Sequence, residues 1–178
     1  MQNSNSSLKF LARKIARSKW EEVPPLKPNG IWADAICNCI RTTSNGLSVW
    51  ASQETREDVS EVVLALMTAK NASLSKLNIL LLEKSELDAI NLEVKLSPES
   101  GDTLINDLKA RHHDLIDLDM DKLCDLAKLI SGQVRSEKYI YTFTAGQVKE
   151  IIHNAIRANR IAYDELNENV RKGIRQPS

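Results

Sequence analysis

A short aliphatic run, residues 77–83, constrains the fold of this chain more than any other part of its sequence. The run reads LNILLLE, with large aliphatic side chains at five of its seven positions. Such a run, in a chain with 27% charged residues, is typical of a strand buried on both faces. Helices are needed on both sides of a sheet to cover such a strand, so the fold must contain both kinds of element.

A strand and a helix precede this run. Residues 47–52 alternate apolar and small polar side chains, which predicts a strand. Residues 55–69 place apolar side chains on one helical face and acidic groups in the first turns, which predicts a helix. Strand, helix and buried strand in this order predict a βαβ unit, whose parallel strands are joined by a right-handed crossover.

The remaining elements complete an α/β or α+β fold. Strict alternation over residues 92–96 predicts a strand with one solvent-facing side, suited to a sheet edge. Residues 139–143 are β-branched or aromatic and predict another strand near 138–143. Thr144 and Gln147 match a capping box at the start of the last helix. The predicted helices lie at 103–112, 119–131 and 145–166. We predict a single domain with a small mixed sheet of about four strands, covered by helices. These strands lie near 47–52, 77–83, 92–96 and 138–143.

Residues 31–42 allow two interpretations. Their apolar side chains recur at helical spacing, whereas a strand would divide them less cleanly between its two faces. The residues of this stripe are Trp32, Ala35, Ile36, Cys39 and Ile40. We predict a helix that ends before Asn45 and Gly46. The alternative is a hairpin with these two residues as its turn.

The two ends of the chain are predicted to lie outside the main domain. Residues 1–22 form an arm with a polar start and a basic amphipathic helix near 7–19, and residues 23–30 contain three prolines and form an extended linker. The domain spans 31–166, and a basic tail follows at 167–178. The arm carries five basic side chains, and these are the candidate partner-binding residues. They are Lys9, Arg13, Lys14, Arg17 and Lys19.

Composition limits the classes of protein that fit. The formal net charge is zero, which removes the bulk-charge argument for a nucleic-acid-binding protein, although basic ends flank an acidic centre. The three cysteines, Cys37, Cys39 and Cys124, lack the spacing of a disulfide framework, and we interpret them as buried reduced thiols. Neither a signal peptide nor an apolar stretch of membrane-spanning length is evident. We therefore expect a cytoplasmic protein without a membrane span.

The candidate catalytic residues are His112, His113 and Asp114. Imidazole and carboxylate groups can bind a divalent metal or act as general bases, and Asp117 is a further candidate metal ligand. The spacing argues against a metal site, because adjacent histidines point in different directions on a helix and a calcium loop beginning at Asp117 would need a glycine that is absent. Asp119 or Asp117 is instead suited to cap the next helix. We expect no metal and no cofactor.

A candidate ligand site follows from the predicted fold. Ligands of open α/β sheets bind beyond the carboxyl ends of parallel strands. Glu83, Lys84 and Ser85 follow the buried strand and are candidate ligand-binding residues, and Ser52 and Gln53 follow the first strand. A lysine and a serine near a helix start can receive an anion. No glycine-rich loop accompanies them, and the Glu83 carboxylate opposes a phosphate.

These features favour a non-enzymatic protein that acts through protein–protein interaction or oligomeric assembly, with the basic arm as its contact. No dinucleotide-binding, P-loop, zinc-protease or nucleophile-elbow motif occurs in the sequence. The alternative is a metal-assisted hydrolase or nuclease-like enzyme that uses the cluster of His112, His113 and nearby aspartates. Nucleic-acid binding through the basic ends is a third hypothesis.

Overall fold

The computed structural model describes residues 8–21 and 30–174. These residues form one six-stranded sheet and seven α-helices. The strands are β1 (Phe10–Ile15), β2 (Leu47–Ser52), β3 (Leu77–Glu83), β4 (Glu93–Leu96), β5 (His112–Ile116) and β6 (Ile140–Phe143). The helices are α1 (Ala33–Cys39), α2 (Arg56–Met67), α3 (Lys84–Ala89), α4 (Asn106–Lys109), α5 (Met120–Arg135), α6 (Ala145–Arg157) and α7 (Glu168–Gly173). Within these residues, none of the helices combines the length and apolar character that a membrane crossing needs.

The sheet is antiparallel throughout and has the order β4-β5-β2-β1-β3-β6. The α+β class is therefore confirmed. The sheet is not mixed, and the four predicted strands, which are all present, understate the six that the described residues form. The predicted sequence of strand, helix and strand is present as β2, α2 and β3. These two strands run in the same direction, because both pair antiparallel with β1, but β1 lies between them. The crossover thus spans an inserted strand instead of joining sheet neighbours.

The predicted basic helix near 7–19 was wrong, because its central residues form strand β1. This strand pairs along its whole length with β3 and over Phe10–Ala12 with β2. Its side chains alternate between two apolar cores, Phe10 and Ala12 in one and Leu11 and Ile15 in the other. A strand buried on both faces has no amphipathic period of its own, so the spacing of its leucines resembled a helical stripe. Of the predicted linker, residues 23–29 lie outside the described part of the chain.

Helices cover both faces of the sheet. On one face, α2, α4, α6 and α7 pack against one core, and on the other face α1, α3 and α5 pack against the second core. Strand β3 divides its side chains between the two, with Ile79 and Leu81 in one core and Leu80 and Leu82 in the other. All four are fully buried. The aliphatic run that predicted a doubly covered strand is confirmed as one.

A second strand was missed at β5. The predicted helix at 103–112 is present only as the single turn α4, and residues 112–116 pair with β2 on one side and β4 on the other. The two histidines and the aspartate that follow have no strong preference for either structure. Their strand conformation is therefore decided by two neighbouring strands far away in sequence, which local pattern does not reveal.

Helix ends follow the sequence more closely. Thr55 caps α2, Asp119 caps α5, and Thr144 and Gln147 form the predicted capping box of α6. The last helix ends at residue 157 instead of 166. The chain then turns back and forms α7, whose Val170 is fully buried in the core beside α2 and α6.

Residues 31–42 contain α1, as predicted, over a shorter span. A tight turn follows it, one residue earlier than Asn45-Gly46: Thr43 and Gly46 form an isolated antiparallel bridge, and the two residues between them, Ser44 and Asn45, have φ values of 51° and 58°. Asparagine tolerates this left-handed conformation better than most residues. The helix is therefore confirmed and the alternative hairpin is wrong, although a tight turn centred on Ser44 and Asn45 lies between the helix and β2.

Candidate functional site

The candidate catalytic histidines lie on opposite faces of β5, because successive residues of a strand alternate. His112 is 1% exposed and packs edge-on against Trp50, with ring centroids 4.9 Å apart. Its Nδ1 lies 2.8 Å from the carbonyl oxygen of Ser97. A carbonyl only accepts, so Nδ1 carries the proton in this bond. His112 is thus a core residue whose imidazole ties β5 to the end of β4.

Asp114 continues this polar network. Its carboxylate accepts hydrogen bonds from Ser97 Oγ at 2.6 Å and from Ser48 Oγ at 3.2 Å. Ser97 therefore links His112 to Asp114, and Ser48 links the aspartate to β2. The resulting chain of His112, Ser97 and Asp114 has the polar groups of a proton relay, but the imidazole at its end is sealed from solvent. Its evident role is to fasten three neighbouring strands.

The aspartates after β5 do not join the histidines. Asp117 adopts a φ of 53° and its carbonyl accepts from Lys122 Nζ at 3.1 Å. Asp119 accepts from Lys122 N at 2.8 Å as the cap of α5, as predicted. Across the described ranges, no three His, Cys, Asp or Glu side chains converge as a metal-binding group. The proposed hydrolase would therefore need ligands that the described residues do not bring together.

A cleft of about 390 Å³ opens where β2 ends, and we call it the β2-end cleft. Its polar lining residues are Lys9, Ser52, Gln53, Asp58, Arg111 and His113. It lies at the sheet end where β2 and β3 both terminate beside Phe10, which is the end indicated by the strand-end rule. Ser52 and Gln53 are among its walls. Glu83, Lys84 and Ser85 are not, because β1 separates the end of β3 from the cleft.

Arg111 and Asp58 dominate the chemistry of the β2-end cleft. Arg111 donates to the Ala51 carbonyl through Nε at 3.0 Å and Nη2 at 2.8 Å, and Nη2 also bonds the Asp58 carboxylate. The same Asp58 oxygen accepts from Ser52 Oγ at 3.1 Å and from Gln53 N at 2.6 Å. The two opposite charges neutralise each other and join the first turn of α2 to the sheet. We therefore assign this pair a structural role, which is to hold the start of α2 against β2.

The candidate ligand residues after β3 lie at the start of α3 and make local contacts there. Lys84 pairs with Asp88 one turn later, and its backbone N donates to Lys9 O at 2.8 Å. Glu83 is the N-cap residue of α3, with extended backbone and no capping hydrogen bond from its side chain. The Lys84 ammonium is therefore already paired with a carboxylate, and neither of the other two candidates, Glu83 and Ser85, adds a positive charge for an anion.

The five candidate partner-binding cations differ in their surroundings. Arg13 donates from Nε to Cys39 O at 3.0 Å and from Nη1 to Ser48 O at 2.7 Å, and burial lowers the pKa of its guanidinium. Arg17 bonds Glu137 and Glu21, and the Glu137 bond in particular raises its pKa. Lys19 pairs with Asp34 at 2.9 Å. Lys9 and Lys14 are exposed. Three of these cations therefore bind groups of the same chain.

The cysteines differ from the sequence-based interpretation. Cys39 is buried, and its Sγ accepts a hydrogen bond from Ala16 N at 3.1 Å. Cys37 and Cys124 are exposed, and all three are free thiols. The expectation of buried thiols was therefore right for Cys39 and wrong for the other two. The helix that carries Cys124 is amphipathic, and this side chain lies on its outer side.

The two edges of the sheet are β6 and β4. Tyr139 O accepts from Leu81 N, so alternation turns the backbone groups of Thr142 away from β3. Arg56 Nη2 donates to this outward Thr142 carbonyl at 3.2 Å, with its guanidinium 4.5 Å from the Phe143 ring centroid. The edge at β6 is therefore partly occupied by a side chain of the same molecule.

The edge at β4 is different. Ser97 N donates to His112 O at 3.0 Å, so alternation points the backbone groups of Ser97, Lys95 and Glu93 toward β5. The N–H and C=O groups of Val94 and Leu96 then point outward. Leu96 is also one of the exposed large apolar residues, at 56%. The alternation of residues 92–96 had indicated an edge strand, and this edge position is confirmed.

Comparison with known proteins identifies no relative: no protein-family model, curated protein or solved structure matches this chain. We therefore infer the function from the molecule's own geometry, above all from the β4 edge.

Proposed function

We propose that the protein acts as a binding protein that receives an extended segment of another polypeptide as an additional strand beside β4. The observation that carries this proposal is the outward direction of the Val94 and Leu96 backbone groups at the end of the sheet. Unpaired N–H and C=O groups along an edge strand are a ready template for a further strand. Partner peptides use such edges widely, with main-chain bonds supplying affinity and alternate side chains supplying specificity.

The proposal places the contact on β4 and not on the basic arm. The former arm residues Arg13, Arg17 and Lys19 already bond groups within the chain. A partner that used them would have to replace existing hydrogen bonds, which reduces the net gain. Within residues 8–21 and 30–174, the outward backbone groups of Val94 and Leu96 make no hydrogen bond to another strand, so a partner would displace only water from them.

The charges on β4 favour a partner strand with opposite charges at the facing positions over other strands. Glu93 and Lys95 are both exposed and flank Val94. Charged side chains on an edge strand discourage indiscriminate pairing, because a strand with like charges opposite them is repelled. A four-residue edge is short, so the interface falls at the small, transient end of protein–protein contacts. A weak, charge-matched association is therefore expected.

A photo-crosslinking experiment tests the proposal. The variant Leu96→p-benzoylphenylalanine is irradiated in cells, and Met120→p-benzoylphenylalanine serves as a control at a 71% exposed site outside the sheet. Discrete adducts are expected from position 96 and not from position 120. The adducts at position 96 should disappear when Val94→Pro is added, because proline removes the outward N–H without removing a β4–β5 bond.

The matched control is Thr142→Pro, which removes an outward N–H from the other edge strand. It should leave the adducts at position 96 unchanged. Circular dichroism melts of both proline variants check that each remains folded. Adducts that survive Val94→Pro in a folded protein would show that strand addition at β4 is not the mode of binding.

A further inference from the structure

We infer that the chain received at β4 is a second copy of this protein, paired antiparallel about a two-fold axis through Val94. This inference rests on the proposed function and names its partner. A two-fold contact uses the same surface on both molecules, so the edge must be complementary to itself. The sequence Glu93-Val94-Lys95-Leu96 meets this condition in one register.

Backbone direction limits the possible registers. Only residues whose N–H and C=O groups point outward can exchange hydrogen bonds across the new pairing, and in β4 these are Val94 and Leu96. Because outward-pointing residues alternate along the strand, two of them can face each other across a two-fold axis only if the axis passes through a residue and not between two residues. The axis through Leu96 fails, because it sets Val94 opposite Pro98, which has no N–H.

Charge decides among the remaining registers. An axis through Lys95 places two lysines directly opposite each other, and an axis through Glu93 places two glutamates opposite each other. An axis through Val94 instead sets Glu93 opposite Lys95 of the second copy, and the symmetry repeats this pair. These are non-hydrogen-bonded positions, where side chains of opposite residues lie closest. The register at Val94 is therefore attractive at both charged pairs.

Apolar contacts agree with the same register. It places Val94 beside Val94 and sets the exposed Leu96 opposite Leu92 of the second copy. Leu92 is 2% exposed and belongs, with the partly buried Val94, to the core under α5. Leu92 N already bonds Leu87 O at 3.0 Å, so its carbonyl is the group available to Leu96 N–H. The pairing would join two sheets into one and bring the partly buried Val94 against Val94 of the second copy.

Sedimentation equilibrium over a concentration series tests the inference on the full chain. The wild type is expected to dimerise reversibly. Glu93→Lys and Lys95→Glu each turn two attractive pairs into repulsive ones, so each should weaken the dimer by on the order of tenfold to a hundredfold. Glu150→Lys is a matched charge reversal at an exposed position of α6, and it should leave the dimer unchanged.

Mixing the two weakened variants provides the decisive measurement. In an equimolar mixture, every charged pair across the Val94 axis is again one acid and one base, so a heterodimer of near wild-type affinity is expected. The double variant Glu93→Lys/Lys95→Glu should likewise recover the dimer. Failure of both recoveries would overturn the Val94 register. A wild type that remains monomeric would overturn self-pairing, whereas crosslinks at position 96 to another protein would still support the proposed function.

Discussion

Replacing Arg13 by methionine tests whether the N-terminal segment is part of the sheet or an arm beside it. Arg13 lies in β1 and bonds the last residue of α1 through Cys39 O at 3.0 Å and strand β2 through Ser48 O at 2.7 Å. Methionine keeps most of the apolar stem and removes both bonds. The neighbouring Lys14 is exposed, so Lys14→Met is a control with the same charge change one residue away.

The size of the effect follows from opposing contributions. Hydrogen bonds to a charged group contribute about 1.5–3 kcal/mol each. Removing the cation also removes the cost of its desolvation, which amounts to several kcal/mol for a buried ion and less for a partly exposed one. We therefore expect Arg13→Met to lower the free energy of unfolding by about 2 kcal/mol. Lys14→Met should change it by no more than about 0.5 kcal/mol.

Urea denaturation followed by circular dichroism measures this difference. With an m-value of about 2 kcal/mol/M, the midpoint of Arg13→Met should fall by about 1 M, while that of Lys14→Met should stay within about 0.3 M of the wild type. Arg13→Lys should lie between them, because an ammonium cannot reproduce the two-directional fork of the guanidinium. Equal midpoints for Arg13→Met and Lys14→Met would refute the assignment of Arg13 to the folded core.

Two further measurements probe other parts of the structure. Gly101→Ala should destabilise the protein by about 1–3 kcal/mol in the same denaturation assay, because its new Cβ would lie 3.0 Å from the Cβ of the buried His112; an unchanged midpoint would contradict this packing. Titration of the native protein with a thiol reagent should modify Cys37 and Cys124 quickly and Cys39 only after denaturation, because Cys39 alone is buried. A native count of three fast thiols would place Cys39 at the surface.

Local sequence was sufficient where an element's own pattern is distinctive. The strand at Leu77–Glu83 was predicted with its observed bounds, because a dense aliphatic run of seven residues suits a doubly covered strand. The helices α2, α5 and α6 were predicted within a few residues at their starts, since cap side chains act within one turn. Such features depend on neighbours three or four positions away.

The candidate site was predicted only in part. Of the residues that the strand-end rule indicated, Ser52 and Gln53 line the β2-end cleft, although the sheet is antiparallel and the rule concerns parallel strands. The rule could not indicate Arg111, because this residue reaches the cleft only once β5 pairs with β2. His112 and His113 were expected to point in different directions on a helix, and the structure instead separates them onto opposite faces of a strand.

The sequence by itself determined that this chain folds around a strand covered on both faces, with amphipathic helices to cover it. Tertiary structure decided which segments join that strand. β1 and β5 carry no local signal strong enough to exclude a helix, and each is held in place by hydrogen bonds to two strands distant in sequence. The same pairing decides that β4 is left at an edge. An edge is a property of the completed sheet, because a strand is open only when no other segment takes the position beside it.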